Sequence, residues 1–206
     1  MHRMEELMNK NQEYIENLKV EEVPWHRITT TYGRATDFPK YFKIMWDMAD
    51  ITSVKEALYE VTSNMEHQST LWHATPFAMI FLKRILEHAV CEINKNQTAN
   101  YIVEYLIDFF ELIADCFRDC DVMDHPEQFE YFSDMLKEEY LCSEEYGEEE
   151  DEICYEDEEM FPEELFYSIW YYSYQVVLEC RPTLEKLKNG FSQHWSVKAK
   201  KLLALL

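Results

Sequence analysis

Glu56–Leu86 reads EALYEVTSNMEHQSTLWHATPFAMIFLKRIL, two apolar-periodic segments on either side of a short stretch rich in histidine and hydroxyl residues. In the first, Val54, Ala57, Leu58, Val61 and Met65 recur at i, i+3, i+4, i+7 and i+11, one stripe of a helix. Ser53 is placed to cap that helix, with Glu56 completing a capping box. In the second, Ala78, Phe81, Leu82, Ile85 and Ala89 repeat the spacing. Between them, His67–Pro76 is either the corner of a helical hairpin or a catalytic or metal-binding cluster. That choice governs the functional reading.

Working outward, the helical period continues. A segment opening at Thr98 carries Ile102, Tyr105, Leu106, Phe109, Ile113 and Phe117 on a broad apolar face. Asp37 with Pro39, Pro126 and Pro162 each mark a start, because proline costs nothing in a first turn where its missing N–H has no partner. The stretch after Pro162 is apolar on most sides, which predicts a central buried helix. Near the C-terminus, Gly190 ends one helix before a shorter basic one. About eight helices and no strand are expected. With short connections, sequential helices lie antiparallel, so the fold class is all-α, with antiparallel hairpins stacked on one another.

Composition supports one domain over 1–206. Of the 206 residues, 47% are apolar, and a chain of this length buries about 70% of its unfolded surface. Only Gly33, Gly147 and Gly190 are glycines. Phosphate-cradling loops and tight hairpins both need glycine, so nucleotide-binding α/β folds and all-β folds are disfavoured. The first residues are charged throughout, unlike a signal peptide. The longest apolar run, Pro76–Leu82, falls far short of the ~20 residues that span a bilayer. A cytoplasmic protein without a membrane role is expected. Its six cysteines, at 91, 116, 120, 142, 154 and 180, would stay reduced there, mostly as small buried hydrophobes.

The net charge is −22, and 13 of the 22 residues from Glu138 to Glu159 are acidic, with none basic. The sign excludes phosphate-led nucleic-acid binding. Like-charge repulsion makes about 140–160 a solvated, flexible insertion within the helical domain. Its residues Glu148, Glu149, Glu150, Asp151, Glu152, Glu156, Asp157, Glu158 and Glu159 form a candidate surface for a basic protein partner, since dense charge speeds encounter. An immunity protein that neutralises a basic toxin such as a nuclease would carry such a segment. Alternatively, the run folds back on the basic tail, Lys186 to Lys201.

Tyr32, Gly33, Ala35, Asp37 and Pro39, then His67, Gln68, Ser69 and Thr70, then Ala74, Thr75, Phe77, Phe81 and Leu82 form a series of short motifs. In them the chain resembles a group of bacterial HEAT-like, armadillo-type helical repeat proteins. The resemblance spans roughly Pro24 to Leu86. Ser69 stands where the group usually has glycine, and Pro76 lies earlier than the usual proline. The resemblance implies stacked helical hairpins whose exposed faces bind other molecules, and it carries no catalytic assignment.

His67 and His73 are six residues apart, about 600° of helix, so a single helix would put them on different faces. A zinc-protease pair needs i, i+4 spacing with a glutamate after the first histidine, whereas Glu66 precedes His67. In the hairpin reading, Gln68, Ser69 and Thr70 satisfy backbone groups left open where two helices meet. His67 then bonds the Tyr32–Asp37 segment. Tyr32, Arg34, His67, Gln68, Trp72 and His73 form the candidate binding set. Cys116, Cys120 and His125 are the next metal candidate, but a structural zinc site wants four ligands. Glu111 and Asp115 share a helix face without the histidine partner of a di-metal bundle. No cofactor, metal or catalytic set is therefore assigned. The expectation is a non-enzymatic protein-interaction module, its oligomeric state open. The runner-up is a metal-binding helical protein or enzyme using His67 and His73 or the Cys116, Cys120 and His125 group.

Overall fold

The computed structural model describes residues 2–145, 147, 151 and 161–206. Within them the chain is all-α. Helix α1 spans His2–Asn17, α2 Phe38–Asp47, α3 Ile51–Met65, α4 Ala74–Glu92, α5 Gln97–Asp121, α6 Glu163–Glu179, α7 Arg181–Gly190 and α8 Gln193–Leu203. Two antiparallel hairpins of two-residue strands interrupt the helices. In one, β1 (Thr29–Thr30) pairs with β2 (Gly33–Arg34). In the other, β3 (Glu66–His67) pairs with β4 (Thr70–Leu71). No described helix is long and apolar enough to cross a membrane.

Helix α4 is the centre. It buries thirteen residues, including an unbroken run from Ala74 to Leu82, against eight in α6. The apolar sequence after Pro162 forms α6, which has no exposed residue from Tyr167 to Glu179 and shares the interior with α4 and α5. Helix α4 packs against α2, α5 and α6 together, and α5 in turn packs on α3, α6 and α8. Contact on several sides leaves α4 no solvent face over its first two turns. Two aromatic clusters fill the space around it. Trp25 packs with Phe38, Phe42 and Phe81 at centroid distances of 5.4–5.8 Å. Phe132 meets Phe77 at 5.2 Å, Tyr172 at 4.8 Å and Tyr14 at 5.4 Å. Truncating Phe77, fully buried in the second cluster, would cost about 3–5 kcal/mol.

Helix ends follow local chemistry with small corrections. Helix α3 begins two residues before the expected cap. Asp50, not Ser53, is the cap, its Oδ2 accepting from the Ser53 N–H at 2.8 Å and the Ser53 hydroxyl at 2.8 Å. Asp50 prevails because a carboxylate is a stronger acceptor than a hydroxyl, and the paired donors hold its pKa below the usual carboxylate range. Asn96 caps α5 by accepting from Thr98 N–H at 2.8 Å. Arg84 closes the end of α1, its Nη1 and Nη2 donating to the carbonyls of Leu18 and Ile15 at 2.7 and 2.9 Å. A cation there meets both orphan carbonyls and the negative end of the helix dipole.

The helix expected after Pro126 is absent. Residues Phe132–Leu136 and Glu138–Tyr140 form short 3₁₀ turns instead. Distant side chains take the backbone groups that a helix would pair. Ser168 Oγ accepts from Phe129 N–H at 2.8 Å, Asn11 Oδ1 accepts from Phe132 N–H at 2.9 Å, and Tyr172 donates to the Phe129 carbonyl at 2.7 Å. The N-terminal α1, which supplies Asn11, is itself a helix that the apolar period did not reveal.

Candidate functional site

Both strand hairpins project beside the C-terminal end of α3. The β1–β2 hairpin is clamped to that end by Asn64. Thr31 N–H donates to the Asn64 carbonyl at 3.0 Å, and the Thr30 hydroxyl donates to Asn64 Oδ1 at 3.0 Å. The β3–β4 hairpin turns through Gln68 at φ 52° and Ser69 at φ 65°. Consecutive left-handed residues make the twist match that of a two-residue hairpin, and asparagine followed by glycine is the usual solution. Ser69 therefore occupies a left-handed position that glycine fills at lower cost. Here the strain is partly offset by the Ser69 N–H, which donates to Glu66 Oε1 at 2.8 Å.

The quoted polar stretch therefore forms a corner. Tyr32, 71% exposed, approaches exposed His67 with its hydroxyl 3.5 Å from Nδ1 and the rings edge to face at 5.8 Å. That meets the expectation that His67 bonds the Tyr32–Asp37 segment. Gln68 is exposed beside them, and Trp72 is half-buried. His73 lies elsewhere: it is buried at the start of α4, where its Nε2–H donates to the Met135 carbonyl at 2.7 Å. Burial pushes its pKa down to about 4, against the smaller upward pull of that bond. His73 is thus a neutral structural group that fixes the 3₁₀ segment on α4, and is removed from the binding set.

Arg34 is also withdrawn from solvent. Its Nε and Nη2 fork onto Asp151 at 2.9 and 2.7 Å, and both side chains are about 95% buried. Nη1 further donates to the carbonyls of His26 and Ser143. Asp151 accordingly does not belong to an exposed acidic surface. Glu148, Glu149, Glu150, Glu152, Glu156, Asp157, Glu158 and Glu159 lie outside the described residues. A second arginine, Arg27, completes a clasp. It grips Glu138 in bidentate fashion at 2.6 and 3.0 Å, reaches Glu144 at 3.0 Å, and donates to the Cys142 carbonyl at 2.7 Å. The Arg27 bond leads in holding Glu138 below the usual carboxylate range, and the bond from His26 leads for Glu144. The stem of the acidic segment is thus anchored within the chain. Of the tail cations, Lys198 pairs with Asp108 at 2.7 Å and Lys201 with Glu111, both on α5.

A cavity of about 370 Å³ opens next to the hairpins, its walls including Tyr32, Asp37, Tyr41, Tyr59, Glu60 and Arg34. Tyr59 is 64% exposed. Sequence reasoning missed Tyr41, Tyr59 and Glu60. Tyr59 and Glu60 sit off the apolar stripe of α3, and a large aromatic on a polar helix face was the available signal.

The thiol group of the runner-up reading is scattered. Cys116 is buried in the α5 face, where burial pushes its thiol up to about 12, and burial also raises Cys120. His125 stacks on Tyr167, centroids 3.6 Å apart, and donates from Nδ1 to the Pro126 carbonyl. Among the described residues no group of three or more His, Cys, Asp or Glu side chains converges as a metal site. No family model, curated protein or solved structure matches the chain.

Proposed function

We propose that the chain is a non-enzymatic protein-interaction module, built as a short HEAT-like stack of helical hairpins, that binds a basic protein at its hairpin end. The carrying observation is the convergence there of exposed aromatics, Tyr32 and Tyr59, with exposed His67 and Gln68 beside the anchored acidic stem. Aromatic side chains supply rigid contact area at interfaces, and the charge of −22 favours encounter with a cationic surface. An immunity protein that covers a basic toxin is the concrete form of this reading. At the same end His67 pairs with a tyrosine hydroxyl, and in the helical core burial holds the Cys116 and Cys180 thiols protonated.

Affinity capture from native lysate tests the proposal, with the wild-type chain and a Tyr32→Ala, His67→Ala double variant as baits. A basic protein retained by the wild type at low salt, weakened at high salt and lost by the variant supports it. Equal capture by both baits, or no basic protein at low salt, overturns it.

A further inference from the structure

The cavity beside the hairpins has a composition suited to one kind of guest. Tyr32, Tyr41 and Tyr59 contribute aromatic rings, and Asp37 and Glu60 contribute carboxylates. Neither carboxylate has a hydrogen-bond or ion-pair partner among the described residues, in contrast with Glu138 and Asp151 a short way off. The cation in the wall, Arg34, is already forked onto Asp151. The space is therefore lined by two solvent-exposed carboxylates without a protein partner among the described residues and by three tyrosines. The chain's own Lys40 supplies an internal precedent, its ammonium lying 5.6 Å from the Tyr41 ring centroid. Burial, then Glu60 and Asp37, raises the Tyr41 hydroxyl above its ordinary pKa, as expected where anions gather around it.

We propose that this pocket receives the guanidinium of an arginine side chain presented by a basic protein partner. At about 370 Å³ the space lies at the low end for small-molecule sites and suits a single side chain with its stem. A guanidinium fits better than an ammonium because it is planar, stacks on aromatic faces and forks onto a carboxylate, and it sheds water at lower cost. The assignment rests on the module reading above and names what that module grips.

The test is titration followed by tyrosine ring resonances, with methylguanidinium, methylammonium and the neutral isostere methylurea as probes. Saturable shifts with methylguanidinium, at least fivefold weaker with methylurea and weaker with methylammonium, support the proposal. Equal responses to methylguanidinium and methylurea, or tighter binding of methylammonium, overturn it. Tyr59→Leu and Glu60→Gln, both at exposed positions, should each weaken methylguanidinium two- to fivefold, and unchanged affinity in both overturns the site. Lys40→Met should strengthen it. A blocked Gly-Arg-Gly peptide should bind at least as tightly as methylguanidinium; tenfold weaker binding would assign the pocket to a free cation instead. Should a basic partner be captured equally by wild type and Glu60→Gln, the pocket falls and the module stands. If methylguanidinium binds but no partner is captured, the converse holds.

Discussion

Lowering the pH from about 7 to about 5 should unload stability through one buried group, His73. Its imidazole is neutral in the fold, with a pKa of about 4 against an ordinary 6.5. The unfolded chain therefore takes up a proton in a range where the folded chain does not, and stability must fall as pH falls. The contribution is fully present above about 6.5 and disappears progressively toward about 4. At about 1.4 kcal/mol per unit, the whole gap amounts to about 3 kcal/mol, of which about 2 kcal/mol is lost between pH 7 and 5. Depressed carboxylates such as Glu138 and Glu144 act in the same direction but lower, once pH falls below the usual carboxylate value of 4.5. The two windows are separable. Urea unfolding at several pH values, on the wild type and on His73→Gln, provides the assay. Glutamine keeps an N–H donor for the Met135 carbonyl but cannot titrate, so its stability should be nearly flat over the same range. Parallel pH profiles for the two proteins would refute the reasoning, whatever the absolute cost of the substitution.

Asp151→Asn should destabilise the fold by about 3 kcal/mol by urea unfolding, because it removes the carboxylate charge that the buried Arg34 guanidinium forks onto. A double-mutant cycle with Arg34→Met should recover most of that loss, and a coupling near zero would show that the pair stabilises nothing. Ser69→Gly should raise stability by about 1 kcal/mol, or a melting temperature gain of about 2–4 °C, by relieving the left-handed backbone at φ 65°. No gain would mean that the Glu66 contact already offsets the strain. In a thiol-labelling time course under native conditions, exposed Cys91 should react first, and Cys116 and Cys180 only on unfolding; fast labelling of either buried thiol would contradict the packing around α5 and α6.

What could be read from the sequence was the repeating part. The stripes of Val54–Met65 and Ala78–Ala89 gave α3 and α4 because burial on one side imposes a 3.6-residue period. Burial on every side erases that period over Ala74–Leu82, so only the later turns of α4 show one side buried, and the depth of its first two turns was hidden. The segment after Pro126 misled for another reason. Its own spacing is helical, but Asn11, Ser168 and Tyr172 outbid the local ladder from more than 35 residues away. At the site, the Tyr32–His67 contact was anticipated from the corner motif. The Arg34–Asp151 pair was not, since the charge run reads as solvated until a buried cation is placed opposite it. Nothing local marks a partner 117 positions distant.

The clasp of Arg27 and Arg34 has a kinetic corollary. Its bonds close loops of 109 to 117 residues, among the longest in the molecule, whereas the hairpins of α3, α4 and α5 join near neighbours. Distant closures must await the collapse of what lies between, so the acidic stem is expected to lock late during synthesis, on a helical scaffold already in place. The same order reversed makes it the first seam to part. The Cys142 amide, which donates to the Arg27 carbonyl at 2.8 Å, should exchange its hydrogen well before those of α4, and slow exchange there would place the seam elsewhere.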